Sequence, residues 1–126
     1  MKPIRCLQFA LVFGTATSVM AANVPADYPS KPIRVIVGLA PGGATDIIAR
    51  GLAQKLTEGL GQSVIVDNRA GAGGNIASAL AAKSAPDGYT ALIVSSTYSI
   101  NPSLYRQLPF DPVKDLEPVT LIASGR

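Results

Sequence analysis

Two glycine-rich stretches of the sequence have the composition of a backbone anion site. Residues 40–44 read Ala-Pro-Gly-Gly-Ala, and residues 71–75 read Gly-Ala-Gly-Gly-Asn. Neither stretch carries a charged or bulky side chain, so its backbone N–H groups are open to a ligand, and each precedes a predicted helix whose amino terminus favours an anion. For the first stretch, the alternative is a tight strand-to-helix connection that needs glycine for its dihedral angles and binds nothing.

Catalytic and metal chemistry has little support in this sequence. Residues 95–99 all bear hydroxyl groups, but without a base partner they are better explained as hydrogen-bonding or capping groups than as nucleophiles. The chain contains no histidine, and its one cysteine, Cys6, falls in the segment interpreted below as an export signal. Transition-metal sites and histidine-dependent triads are therefore excluded within this chain, and we expect no enzyme activity and no cofactor.

Nucleotide and nucleic-acid binding also fit poorly. Gly71-x-Gly73 matches the start of the dinucleotide fingerprint, but Ile76 replaces its third glycine and the motif follows the second predicted strand instead of the first. Neither stretch contains the Gly-Lys-Ser or Gly-Lys-Thr of a P-loop. The formal charge is +3, and loss of Lys2 and Arg5 with the signal would leave 9 basic against 8 acidic residues, or +1. We therefore expect no nucleic-acid partner.

Alternating strands and helices must position the polar stretches. The order β-α-β-α-β predicts an α/β fold with a parallel sheet and right-handed crossovers. The polar stretches would then gather at the carboxyl ends of the strands, where open α/β sheets bind ligands. The predicted strands are residues 33–39, 63–68, 90–94 and 118–123. The predicted helices are residues 45–60 and 76–85, with two short helices that start at the pairs Asn101-Pro102 and Asp111-Pro112.

Details of the two longer helices can be predicted from side-chain spacing. Thr45 is the predicted N-cap of the first helix, Asp46 lies in its first turn, and Gly61 is predicted to end it in a left-handed conformation. In the second helix, Ile76 and Leu80 are predicted to face the sheet. The predicted sheet-facing stripe of the first helix is Ile48, Leu52, Leu56 and Leu60.

The amino-terminal segment is predicted to be a cleavable export signal. Residues 1–21 combine basic Lys2 and Arg5, an apolar centre, and small residues at Val19 and Ala21 that fit a cleavage site near Ala21. A membrane anchor is the competing interpretation, but the apolar centre is short and contains polar residues. We therefore expect a periplasmic protein, with residues 22–30 as an extended leader.

Four blocks of sequence, in order, resemble the Bug (TctC-like) family of periplasmic solute-binding proteins, which serve tripartite tricarboxylate transporters. The blocks are YPSKPIRVIVGLAPGGATDIIAR, VIVDNRAGAGGNIA, APDGYTALIVSST and INPSLYRQLPFDPVKDLEPVTLIAS. The resemblance implies a periplasmic binding protein type 2-like (Venus-flytrap) fold, with helices on both faces of an open, mostly parallel sheet. It also implies a small organic carboxylate as ligand and the membrane permease subunits of such a transporter as partners.

The resemblance also implies which residues line the site. Backbone amides of the two glycine-rich stretches would hold a ligand carboxylate, helped by bound water. The hydroxyl-rich stretch from Ser95 to Tyr98 would line the cleft. Two positions depart from the family pattern: Ala77 stands where glycine is commoner, and Tyr98, where histidine is frequent, bears on which ligand is accepted. The predicted ligand-binding residues are Ala40, Pro41, Gly42, Gly43, Thr45, Asp46, Gly71, Ala72, Gly73, Gly74, Asn75, Ser95, Thr97 and Tyr98.

Two nearby cations and the chain length complete the expectations. Arg50 is expected to be solvated, whereas Arg69 either braces the second stretch or contacts the ligand. Family members have about twice this length or more, so residues 31–126 are interpreted as most of the first lobe, in an amino-terminal fragment that binds poorly by itself. The alternative to a transport receptor is a periplasmic sensor without a permease, and the sequence does not separate the two.

Overall fold

A three-stranded sheet flanked by helices organises residues 27–124, which are the residues that the computed structural model describes. The predicted export signal lies outside the described residues. The strands and helices are β1 (Ile33–Val37), α1 (Ala44–Leu60), β2 (Val64–Asn68), a 3₁₀ turn (Ala72–Gly74), α2 (Asn75–Ala82), β3 (Thr90–Ile93) and α3 (Thr97–Leu104).

The sheet is parallel, with the order β2-β1-β3, which confirms the predicted α/β class. Val35 of β1 pairs with Val66 of β2 on one side and with Ala91 of β3 on the other. The central position of β1 explains its nearly continuous apolar run, because a central strand is covered on both faces and along both edges. Ile36 and Val37 are completely buried.

Helices cover both faces of the sheet. Val35 and Val37 point to one face and form a buried cluster with Ala49 of α1. Gly38 follows on the opposite face, where a side chain at this position would come within 3.0 Å of the Gly74 Cα atom that precedes α2. The glycine therefore lets α2 start directly against the end of the central strand.

The first helix contacts the sheet through different residues from those predicted. Ile48 and Leu60 are both 39% exposed, while Ala49 and Ala53 are buried and the other two leucines of the predicted stripe are half-buried. The buried stripe is therefore shifted by one position, since alanine allows the helix axis to lie close to the strands.

In the second helix, as in the first, small residues contact the sheet where larger ones were predicted. Ile76, predicted to face the sheet, is 53% exposed, whereas Ala77 and Ser78 are buried. Leu80 is half-buried. Close approach of α2 to β1 and β3 is incompatible with a branched side chain at the contact, so Ile76 is turned outwards.

The ends of α1 agree only in part with the prediction. The prediction of Thr45 as N-cap is wrong, since the helix begins at Ala44 after Gly43 and no side chain caps its first turn. Gly61 does take the left-handed conformation, with φ 68°, and its N–H donates to the Thr57 carbonyl over 3.1 Å.

The region after β3 differs most from the prediction. The third helix begins at Thr97 and contains Pro102, so the pair Asn101-Pro102 does not start a helix. Asp111 accepts the N–H group of Val113 over 3.0 Å, but it caps a turn instead of a helix. The prediction of a strand at residues 118–123 is wrong, since these residues pair with neither edge strand of the sheet, β2 or β3, and are exposed.

Residues 27–31 are bent and fastened to the turn that precedes β3. The Tyr28 hydroxyl donates to the Gly88 carbonyl over 2.7 Å, and the Ser30 N–H donates to the Tyr89 hydroxyl over 2.9 Å. Lys31 pairs with Asp87 over 3.0 Å and lies over the Tyr89 ring. The chain therefore enters β1 from the amino end of the sheet.

Candidate functional site

Three loops meet at the carboxyl edge of the sheet, as the β-α-β-α-β order predicts. We call them loop 1 (residues 38–43, between β1 and α1), loop 2 (residues 69–74, between β2 and α2) and loop 3 (residues 94–96, between β3 and α3). Loops 1 and 2 open onto the amino termini of α1 and α2. Two helix dipoles with the same orientation therefore end at this edge.

A narrow crevice lies between loop 2, loop 3 and the end of β1. Its enclosed volume is about 10 Å³, which is close to the space of one water molecule. Its lining residues are Gly38, Leu39, Gly73, Gly74, Ser78, Leu92, Ile93, Val94, Ser95, Thr97 and Tyr98. Five of the predicted site residues are thus brought together: Gly73, Gly74, Ser95, Thr97 and Tyr98. The other predicted site residues lie outside this lining: Ala40, Pro41, Gly42, Gly43, Thr45, Asp46, Gly71, Ala72 and Asn75.

Loop 1 is held from behind by the carboxylate of Asp46, which is only 3% exposed. Oδ2 of Asp46 accepts the Gly42 N–H over 2.9 Å and the Arg50 Nε–H over 2.9 Å. Oδ1 accepts the side-chain amide of Asn68, also over 2.9 Å. The same amide donates to the Leu39 carbonyl over 3.2 Å, so the network joins the ends of β1 and β2 to α1.

The hydrogen bonds to Asp46 stabilise its ionised form. Hydrogen bonds from Arg50, then from Gly42 and Asn68, lower the pKa of Asp46 from its ordinary 3.8 to about 2. The same ion pair raises the pKa of Arg50. Asp46 is therefore ionised throughout the range in which the protein would bind a ligand.

Loop 2 is held by its backbone conformation. Gly71, Ala72, Gly73 and Gly74 follow one another with φ angles of 139°, 48°, 63° and 91°. Positive φ is accessible to glycine and costly for most other residues, so the glycine content of loop 2 has a direct conformational reason. The Gly74 N–H donates to the Gly71 carbonyl over 2.9 Å and closes the turn.

Two buried asparagines support loop 2, namely Asn75 at the start of α2 and Asn101 on α3. The Asn101 amide donates to the Gly73 carbonyl over 2.9 Å and to the Asn75 Oδ1 over 2.8 Å. Asn75 is 5% exposed, and its Nδ2 group has no hydrogen-bond partner among the described residues. A buried amide donor without a partner is costly, so this group is a candidate donor to a water or a ligand oxygen.

Loop 3 and the start of α3 contribute hydroxyl groups and an aromatic wall. The Ser95 and Thr97 hydroxyls lie 2.8 Å apart. The Tyr98 hydroxyl donates to the Pro112 carbonyl over 2.7 Å, and its ring stacks on Phe110. Burial raises the pKa of Tyr98, with smaller contributions from Asp111 and Asp115. Tyr98 thus presents its ring to the crevice while its hydroxyl is bonded elsewhere.

The two arginines near the loops are both paired within the protein. Arg50 bonds Asp46 and the Asn68 Oδ1, so it is not simply solvated as expected, although its side chain is 56% exposed. Arg69 pairs with Asp67 over 3.0 Å, and Asp67 also accepts hydrogen bonds from Arg34. Arg34 first and Arg69 second hold the pKa of Asp67 below its ordinary value. The arrangement gives Arg69 a bracing contact at the start of loop 2.

A family model described as the tripartite tricarboxylate transporter family receptor matches residues 48–125, which is well over half of the chain. The chain belongs to this receptor family. The match begins inside α1 and includes loops 2 and 3.

Individual members of the receptor family are similar to the chain in sequence and in structure. The protein BugT of Bordetella pertussis is 49% identical over 112 residues, which cover 86% of this chain and 34% of BugT. The structure of the periplasmic binding protein BugD is 41% identical, with a TM-score of 0.69 over 72% of this chain and 30% of BugD. MatC from Rhodopseudomonas palustris, with bound malate, is 35% identical, with a TM-score of 0.70 over 75% of this chain and 33% of MatC.

The chain spans about a third of the length of the curated relatives it matches. Among residues 27–124, no helix is both long and apolar enough to cross a membrane. Within the same residues, there is no cluster of three or more metal-ligating side chains.

Several residues of the candidate site were missed by reasoning from the sequence. Asn68 is the last residue of β2, and a polar side chain at the carboxyl end of a predicted strand is a signal that points to the binding edge. Asn101 was assigned to a helix cap, and only the three-dimensional contact with loop 2 corrects this. Gly38, Leu39 and Ser78 line the crevice but have no distinctive motif.

Proposed function

We propose that the protein is a periplasmic receptor that binds a small organic carboxylate and delivers it to the membrane subunits of a tripartite tricarboxylate-type transporter. The observation that carries the proposal is the convergence of loop 1 and residues 70–74 of loop 2, neither of which has a cationic side chain, on two helix amino termini at one sheet edge. Such an edge favours an anion held by backbone N–H groups.

The crevice and its surroundings suit a carboxylate in three ways. Hydroxyl groups of Ser95 and Thr97 line it, and the Asn75 amide close to loop 2 has a donor to spare. The nearby cations Arg50 and Arg69 are engaged by Asp46 and Asp67, so the donors that are left for a ligand carboxylate are backbone N–H groups and neutral side chains. The family match and the malate bound by MatC support the same class of ligand.

The predicted site residues are all included in this proposal, but with different roles. Gly73, Gly74, Ser95, Thr97 and Tyr98 form the crevice wall. The remaining residues supply backbone N–H groups or shape: Ala40, Pro41, Gly42, Gly43, Thr45, Asp46, Gly71, Ala72 and Asn75. No step of the proposal requires bond cleavage in the ligand, so we expect binding without turnover.

The test is calorimetry on the purified full-length protein. A panel of malate, succinate, citrate, glutamate and nicotinate would be titrated, with the corresponding neutral amides as matched controls. We expect at least one carboxylate to bind with micromolar or tighter affinity and its neutral amide to bind at least tenfold more weakly, because backbone dipoles favour the anion. Equal affinity for acid and amide, or chemical conversion of the acid, would contradict the proposal.

Delivery to a permease is tested separately in cells. Deletion of the gene should slow uptake of the radiolabelled ligand, and restoring the gene should restore uptake. Normal uptake together with loss of a transcriptional response to the ligand would instead identify a sensor.

A further inference from the structure

We propose that Asp46 is a positioning residue of the carboxylate site. Its buried carboxylate accepts hydrogen bonds from within the protein and so holds loop 1 in the shape that presents N–H groups to the ligand. This inference rests on the proposed function and assigns Asp46 a role behind the site instead of a contact with the ligand.

Both oxygens of Asp46 are occupied by donors from three separate segments. Gly42 belongs to loop 1, Arg50 to the second turn of α1, and Asn68 to the end of β2. With only 3% of its surface exposed, the carboxylate faces the protein. A ligand carboxylate placed against Asp46 would meet a like charge, which makes direct contact unfavourable.

The Gly42 contact determines where the free donors of loop 1 point. Gly42 has a φ angle of 83°, and its N–H is turned inwards to Asp46 over 2.9 Å. The first backbone bond of α1 runs from the Ile47 N–H to the Gly43 carbonyl over 3.0 Å. The N–H groups of Ala44 and Thr45 precede it in the first turn and have no acceptor within the helix. Fixing Gly42 therefore orients the donors that are left.

Asn68 extends this control to the end of the central strand. Its amide bridges Asp46 and the Leu39 carbonyl, with distances of 2.9 and 3.2 Å. Loop 1 is thereby attached at Leu39, at Gly42 and at the start of α1. Arg50 is the one charged group that contacts Asp46 among the described residues, since its other partners, Gly42 of loop 1 and Asn68 of β2, are neutral.

Substitutions at Asp46 distinguish positioning from simple stabilisation of the helix. Asp46→Ala removes every acceptor, whereas Asp46→Asn retains an oxygen for Gly42 but places an amide against the Asn68 amide. Ala53→Gly is the matched control, because Ala53 is buried on the same helix and its loss weakens α1 without contacting loop 1.

The experiment uses the full-length protein and two measurements. Hydrogen exchange of the Gly42 amide, followed by NMR, reports the loop without any ligand. Calorimetry with malate, or with the tightest binder of the carboxylate panel, reports the site. We expect the Gly42 amide of Asp46→Ala to exchange at least about tenfold faster, and the variant to bind the carboxylate at least about tenfold more weakly, which is the scale of one charge-assisted hydrogen bond. Asp46→Asn should fall between Asp46→Ala and the unmodified protein, and Ala53→Gly should change neither property.

Two outcomes would overturn the inference. One is weakened binding in Asp46→Ala with unchanged exchange at Gly42, which would make Asp46 a ligand contact. The other is a loss of carboxylate affinity in Ala53→Gly as large as that in Asp46→Ala, which would show that the effect is general destabilisation of the protein. If Asp46→Ala does not fold, Asp46→Asn and Asn68→Ala on β2 decide by the same readouts. Failure of every carboxylate to bind the unmodified protein would refute the proposed function, while the exchange measurement would still test the role of Asp46.

Discussion

Loops 1 and 2 occupy equivalent positions in successive β-α units, yet they are held by different forces. Loop 1 depends on one buried charge, since Asp46 gathers donors from Gly42, Arg50 and Asn68. Loop 2 depends on four consecutive residues with positive φ and on the neutral amide of Asn101. Two solutions to the same problem, a helix amino terminus kept open to an anion, therefore coexist in one site.

The difference determines what each loop tolerates. A loop fixed by backbone conformation is sensitive to side-chain bulk and insensitive to charge, whereas a loop fixed by an ion pair is sensitive to charge and accepts small changes of shape. Each substitution below changes the contacts of one loop and leaves those of the other unchanged.

The largest effect is expected for Gly73→Val in loop 2. Gly73 has a φ angle of 63°, and a Cβ atom there would lie 3.2 Å from the Asn101 Oδ1. A branched side chain is strained in this conformation and also blocks the approach of a ligand to the backbone. We expect carboxylate affinity to fall by about a hundredfold or more in calorimetry with the full-length protein. Gly51→Val is the control, because Gly51 lies on α1 with open space around it. Binding that survives Gly73→Val would refute a backbone grip by loop 2.

A smaller effect is expected when the amide support of loop 2 is removed. Asn101→Ala leaves the Gly73 carbonyl and the Asn75 Oδ1 without this donor. Leaving buried polar groups unpaired should lower the free energy of unfolding by about 2 kcal/mol. Urea denaturation measures the change, and Ser103→Ala, at an exposed site on the same helix, should leave stability unchanged. Because the lost contacts are neutral, the decrease should be the same at low and high salt; a strong salt dependence would contradict this account.

A still smaller effect on binding is expected for Arg50→Ala. Arg50 supports Asp46, but Gly42 and Asn68 still donate to the carboxylate without it. We expect affinity to fall by about threefold or less, and by less at high salt, because salt already screens the ion pair of the unmodified protein. Lys55→Ala, which removes an exposed ion pair with Glu58 further along α1, is the control. Loss of more than about tenfold would show that Arg50 itself holds the ligand.

The smallest effect is expected for pH between about 6 and 8, where affinity for a fully ionised ligand should not change. No group within residues 40–46 or 71–75 titrates near neutrality. The pKa of Asp46 lies at about 2, below its ordinary 3.8, so its contribution to stability is complete above about pH 4 and is lost as the pH falls through about 2. Calorimetry at intervals of half a pH unit checks this, and a steep change between pH 6 and 8 would point to a side chain that was not considered.

The comparison of the loops also shows what the sequence could predict. The alternation of strands and helices, the left-handed Gly61 and the gathering of the loops at one edge follow from local patterns, because periodicity and glycine placement act over a few residues. The contacts that hold the loops in place do not follow from local patterns, since Asn68 and Asn101 form hydrogen bonds with residues far away in the chain. The burial of Ala49 in place of Ile48 was missed for a similar reason, because helix rotation depends on how closely the sheet approaches. The site assignment for all fourteen residues stays a prediction until a ligand is bound.

The contacts of Tyr28 and Lys31 with the turn before β3 fix the start of the described chain at the end of the sheet opposite the loops. These contacts lie at the amino ends of the strands, whereas the three loops lie at the carboxyl ends. A fluorophore or a surface linker attached at residue 27 would therefore lie on the side away from the loops. Immobilising the protein through this residue, for example on a biosensor chip, would leave the three loops facing the flowing solution.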